Sequence, residues 1–177
     1  MQSKSFSLVV RKKILSYKKN ISVDGDKSIS IRGFLIGALS NNVSSTKNVL
    51  ESEDVISTIN CLKKLGVKII KKSPKNYLIF GKGLGSLNAK KNVVLNFGNS
   101  GTLARLIIGI LSTTPRITAT IKGDKSLNKR NMKELINLMS QFGAFFLPKN
   151  KFNFPLKIIS SEIPLGINYK AGVSAQL

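Results

Sequence analysis

"GNSGTLAR" (98–105) sits where a strand-like run, "KNVVLNFG" (91–98), gives way to a helix-like run, "NSGTLARLIIGILSTTP" (99–115). The same junction occurs twice more in altered spelling, as "GDKSISIR" (25–32) and "GVSAQL" (172–177). Each puts Gly beside Ser or Thr, the residues that turn a chain and cap a helix. Around the first junction, "KNISVDG" (19–25) reads as a short strand and "KSISIRGFLIGALS" (27–40) as a helix with a polar start and an apolar body. "TKNVL" (46–50) follows as a strand, and "VKIIKKSPKNYLIFGKG" (67–83) as a hairpin turning at Ser73–Asn76. Between them "SEDVISTINCLKKLG" (52–66) is an amphipathic helix. Ser52 is its cap, Glu53 and Asp54 its first turn, and Gly66 its stop, with Val55, Ile59 and Leu62 along one face.

The second junction opens the same series. "RITATIKGD" (116–124) reads as a strand, "NKRNMKELINLMSQFG" (128–143) as an amphipathic helix, and 144–163 as a strand pair in which Phe145 and Phe146 are core residues. Each series is βαβαββ and spans roughly 70–80 residues, a period that decides the fold as a repeated α/β architecture. The repeats are expected at about 21–90, 91–165 and 166–177, the third with a strand at "GINYKAG" (166–172) and ending one turn into its first helix. That ending suggests a partial chain. "SFSLVVRKKIL" (5–15) reads as a strand and turn ahead of the first repeat.

Composition narrows the chemistry. With no His, and Cys61 as the single cysteine, a zinc site is disfavoured, an intrachain disulfide is impossible, and every mechanism needing a His base is excluded. A lone cysteine fits a reducing cytosol, and Cys61 reads as a structural thiol. No apolar run has the length of a membrane span, and the N-terminus lacks the apolar core of a secretory signal. Lys and Arg number 29 against 8 acids, a net charge of +21. Abundant Lys, Asn, Ile and Ser are what an AT-rich genome produces, and the paired lysines then read as solvated surface. The same excess suits small anionic substrates, or nucleic acid. The aromatic residues sit mostly within apolar strands and helices rather than along a basic stripe, which argues against a nucleic-acid surface.

The helix starts sharpen this reading. A cation in the first turn of a helix opposes the helix dipole at a cost of a few tenths to about 1 kcal/mol. Lys27 and Arg32 stand at such a start, and so do Lys129 and Arg130 in "NKR". Asp26 and Asp124 are placed to complement their dipoles. Cations at several helix starts, beside Gly turns and hydroxyls, mark an anion-binding face. Arg105 lies deeper in its helix and is the weakest member, suited to a structural pair.

"GDKSISIR", "NFGNSGTLARLIIGIL", "GDKSLNKRNMKELINLMSQFGA" and "VSAQL", in this order from about Val23 to Leu177, resemble the 3-phosphoshikimate 1-carboxyvinyltransferase (EPSP synthase) family. The resemblance implies an inside-out α/β barrel of βαβαββ repeats, with helices inside, sheets outside and two domains facing a substrate cleft. Residues 1–20 would pack with the second domain, absent from this sequence, and 21–177 would form an incomplete first domain. It implies enolpyruvyl transfer from phosphoenolpyruvate to the 5-hydroxyl of shikimate 3-phosphate, in the cytoplasm, by a monomer. No metal or organic cofactor is implied, and neither a nucleic-acid nor a membrane partner.

Residue by residue, the resemblance assigns Lys27 to both substrates. Ser28, Arg32, Ser174 and Ala175 go to shikimate 3-phosphate. Asn99, Gly101, Thr102 and Arg130 go to phosphoenolpyruvate, and Gln176 lies near both. Gly101 would lie against the phosphoenolpyruvate phosphate, where a Cβ crowds the ligand. Three positions depart from the family pattern: Asp24 and Asn131, each where Pro is usual, and Ile31, where His or Asn is frequent. The carboxylates that move protons in this family lie outside the sequence, so the expectation is a chain that does not turn over alone. A basic nucleic-acid-binding module, or a half that pairs with a separately encoded second half, are the alternatives.

Overall fold

The computed structural model describes residues 7–9, 11, 13, 16, 18 and 20–170. In chain order these form α1 (Lys27–Leu39), β1 (Val43–Thr46), α2 (Glu53–Lys64), β2 (Lys68–Ser73) and β3 (Asn76–Phe80). There follow β4 (Val93–Asn96), α3 (Gly101–Thr113), β5 (Thr118–Lys122), a 3-10 turn at Leu127–Lys129, α4 (Lys133–Gln141), β6 (Phe145–Leu147) and β7 (Leu156–Ile159).

The period read from the sequence is present as topology. One sheet runs β1-β3-β2, and the other β4-β5-β7-β6. Setting β1 against β5, β2 against β6 and β3 against β7 gives the same order and the same antiparallel pairings in both. The second sheet has one strand more, β4, which lies parallel to β5 with Val93 opposite Ala119. Its counterpart, the strand expected over 19–25, is not formed among residues 20–25: no neighbouring strand takes their hydrogen bonds, and Ile21 and Val23 are exposed.

Three other expectations shift. The strand read at 46–50 lies earlier, at Val43–Thr46, because register against Tyr77–Phe80 fixes it there and Asn48 takes a positive φ of 53° that ends it. The fourth helix starts at Lys133, not at 128. Leu127–Lys129 is a separate 3-10 turn, Arg130 is extended, and the Met132 N–H is drawn off to the Phe152 carbonyl. Residues 166–170 form no strand, and 171–177 lie outside the described residues. Of the phenylalanine pair only Phe146 is buried. Phe145 is 63% exposed, since adjacent strand residues point to opposite faces.

One hydrophobic core joins both units. Ile31, Phe34, Leu62, Leu65 and Ile79 of the first meet Leu95, Phe97, Leu103, Ile107 and Ile108 of the second, all with no measurable exposure. Each such side chain contributes about 1.5–3 kcal/mol through burial. The seam is closed by α2, whose Cys61 thiol lies 3.4 Å from the Asn96 carbonyl while Lys64 Nζ donates to the Val94 carbonyl at 2.8 Å. Burial pushes the Cys61 thiol up to about 12, which agrees with a structural role. The outward face of α1 keeps Ile29 and Ile36 exposed. Among the described residues no helix is long and apolar enough to cross a membrane.

Candidate anion-binding site

The repeated topology brings the N-termini of α1 and α3 together, each capped by the residue before it. The Ile29 N–H donates to Asp26 Oδ1 at 2.7 Å, and the Leu103 N–H to Ser100 Oγ at 3.2 Å. Ser52, at the corresponding place before α2, makes no capping bond, and its buried hydroxyl has no partner among the described residues. Beside these helix starts lies a cavity of about 240 Å³ lined by Lys27, Asp54, Asn99, Gly101, Thr102, Arg105 and Arg130.

Arg130 reaches the cavity from the loop after β5. The Phe97 N–H donates to the Lys122 carbonyl and the Asp124 N–H to the Gly98 carbonyl, each at 2.8 Å, which staples this loop to the end of β4. Asp124 Oδ1 then accepts the Leu127 N–H at 2.7 Å, Asn128 Oδ1 accepts the Gly123 N–H at 2.8 Å, and the buried Leu127 anchors the turn. The Arg130 guanidinium emerges over α3 and donates through Nη2 to Asn99 Oδ1 at 3.1 Å. It therefore enters as a loop residue and not as a first-turn cation of the fourth helix.

Gly101 has a measurable reason to lack a side chain. A Cβ there would fall 2.6 Å from Nη1 of Arg130 and 3.1 Å from Nη1 of Arg105. Both guanidiniums thus pack over the first residue of α3, where the free backbone N–H groups already carry positive potential. Among the described residues neither arginine forms an ion pair. Arg105, read from the sequence as a structural partner, is a lining residue of the cavity.

Lys27 forms the other wall. Its Nζ lies 3.0 Å from Asp54 Oδ2, with the lysine side chain 48% exposed and the aspartate 17%. Asp54 read from the sequence as a dipole-complementing acid of α2. Its second role follows from the α1–α2 packing, and the signal for it was that the repeat sets these helix starts side by side. Ser28 is half-buried and Arg32 exposed, one turn apart on α1, and neither lines the cavity. Ser174, Ala175 and Gln176 lie outside the described residues.

The departure at Asp24 has a local explanation. Its carboxylate pairs with Lys75 at the tip of the β2–β3 hairpin, away from the cavity, and this raises the Lys75 pKa. Gly25 beside it passes so close to the Asn48 carbonyl that a Cβ has no room. Glu51 completes the cluster: it pairs with Lys71 at 2.8 Å and accepts the Tyr77 hydroxyl at 2.6 Å and the Lys75 N–H at 3.1 Å. Those partners hold its carboxyl down to about 2.

Comparison with known proteins gives the family. The profile of the family EPSP synthase (3-phosphoshikimate 1-carboxyvinyltransferase) matches residues 12–177. The chain is 42% identical over 156 residues to the 3-phosphoshikimate 1-carboxyvinyltransferase of Vesicomyosocius okutanii, covering 88% of this chain and 35% of that protein. It is 38% identical over 169 residues to the protein of the same name from Bacillus velezensis, covering 94% and 39%. The solved structure of EPSP synthase from Acinetobacter baumannii superposes with a TM-score of 0.79 at 32% identity, covering 88% of this chain and 36% of that one. This chain, which spans little more than a third of the length of these relatives, belongs to the EPSP synthase (3-phosphoshikimate 1-carboxyvinyltransferase) family.

Proposed function

We propose that this chain carries the first-domain substrate face of a 3-phosphoshikimate 1-carboxyvinyltransferase. The observation that carries the reading is the cavity at the α3 N-terminus, where Arg105 and Arg130 converge on Gly101 without a counter-ion among the described residues. Such a site takes a small, multiply charged anion, and phosphoenolpyruvate has the charge and size.

In this reading Arg130, held by Asn99, and Arg105 bind the phosphate and carboxylate of phosphoenolpyruvate, with Thr102 and the α3 N–H groups completing the cradle. Lys27 spans the cavity towards the attacking hydroxyl of shikimate 3-phosphate. Ser28 and Arg32, one turn apart on α1, hold that second ligand from outside the cavity, and Ser174, Ala175 and Gln176 are assigned to it as well, Gln176 to both ligands. Protonation of phosphoenolpyruvate at C3 lets the 5-hydroxyl, giving up its own proton, attack C2; the tetrahedral adduct then loses phosphate from C2 and a proton from C3 to give 5-enolpyruvylshikimate 3-phosphate. This chain's cations neutralise charge as it moves to the departing phosphate.

Proton transfer calls for carboxylates placed by a second domain, while residues 21–177 belong to the first. The chain binds and does not turn over alone, and the intact protein works as a cytoplasmic monomer. Calorimetric titration of the 177-residue chain with phosphoenolpyruvate and shikimate 3-phosphate tests this, alongside a phosphate-release assay. Saturable binding of each, weakened for phosphoenolpyruvate by Arg130→Ala, is expected. Turnover near that of an intact enzyme, or no binding of either ligand, overturns it.

A further inference from the structure

We propose that Asp54 is a positioning residue for Lys27: it holds the ammonium at the cavity wall and removes its own charge from the ligand's view. The proposal rests on the reading of the cavity as the phosphoenolpyruvate site. A carboxylate lining an anion cavity is an electrostatic contradiction unless it acts on something else. Here its one side-chain ion-pair partner among the described residues is Lys27 Nζ at 3.0 Å, and Asp54 is largely withdrawn from water while the lysine is half exposed.

The arrangement solves a problem set by sequence. Lys27 is the first residue of α1, so its backbone sits at the positive end of the helix, and its flexible stem is free to swing to solvent. Asp54 occupies the first turn of the neighbouring α2, facing the same cavity. The pair draws the ammonium inward and leaves it two further N–H donors for a ligand. Of the chain's 8 acids, Asp54 alone lines this cavity.

A role as a mere helix-dipole acid, a role as a bare repulsive charge and a role through Lys27 differ in sign. Binding of phosphoenolpyruvate, and separately of inorganic phosphate, is measured for the full chain and for Asp54→Asn, Lys27→Met and the double variant, with thermal unfolding of each. Asp54→Asn is expected to weaken anion binding about tenfold in the native background. In the Lys27→Met background the same change is expected to strengthen binding, because there the carboxylate faces the anion unpaired.

Tighter binding by Asp54→Asn in the native background overturns the proposal, and so does an equal effect in both backgrounds. A fall in melting temperature with unchanged affinity reduces Asp54 to a dipole acid and overturns it too. If Asp54→Asn fails to fold alone, Asp54→Ser in the native background takes its place in the cycle, and tighter or unchanged phosphate binding by it overturns the proposal. If phosphate binds and phosphoenolpyruvate does not, the substrate reading falls while the phosphate cycle judges Asp54. If neither anion binds the native chain, both fall.

Discussion

At the scale of single residues the site is governed by what is missing as much as by what is present. Gly101 leaves open the space that the Arg130 and Arg105 guanidiniums occupy. A methyl group there meets the far end of a flexible side chain before it meets a ligand, so the chain yields by moving Arg130 off Asn99. Gly101→Ala is therefore expected to leave thermal stability close to native. Phosphoenolpyruvate affinity should fall about tenfold, through loss of one charge-assisted contact, with shikimate 3-phosphate binding little changed. Paired titrations of the two ligands check it, and an equal loss for both would mean that the backbone turn itself had moved. Gly101 and Arg130 were both named from the sequence, but their contact was not. Spacing places Gly101 at a helix start, but only the stapled loop 122–130 shows that an arginine fills the gap.

At the scale of elements the two helix starts of the first unit share a design and do not share its energetics. Asp26 caps α1 by a direct bond to the Ile29 N–H, whereas the buried Ser52 hydroxyl before α2 has no partner among the described residues. Asp26→Ala is expected to cost about 1 kcal/mol in urea unfolding, and Ser52→Ala close to nothing. The sequence marks Ser52 as a cap because it shows residue type and not the direction of a hydroxyl. The hairpin tip has a further element-scale consequence. Glu51, with its carboxyl near 2 against an ordinary 4.5, contributes stability that is complete above about pH 4.5 and is lost as pH falls towards 2. Glu51→Gln is expected to flatten the acid limb of the stability curve in that window and leave neutral pH as the place where the variant is weaker. The cluster around Glu51 also answers the Asp24 departure, which no pattern of spacing explained: its partner Lys75 is distant in sequence and adjacent only through the hairpin.

At the scale of the whole molecule the fold was legible because it repeats. The Gly-Ser junctions, the helix periodicity and the paired strands recur in one order, and both sheets adopt one topology. What sequence misplaced were pieces whose structure depends on neighbours: the strand at 19–25 without a strand to pair with, and Arg130 on a loop rather than a helix. The first sheet keeps a mark of this. Among the described residues β1 is hydrogen-bonded on one side only, while its counterpart β5 is flanked on both, and Val43 is 53% exposed. A one-sided strand is a template for another chain, and a net charge of +21 is what keeps such templates apart. The chain's colloidal behaviour therefore runs with its ligand affinity: the added salt that screens anions from the arginines also screens one molecule from the next, so storage at high ionic strength favours precipitation where a less basic protein would dissolve.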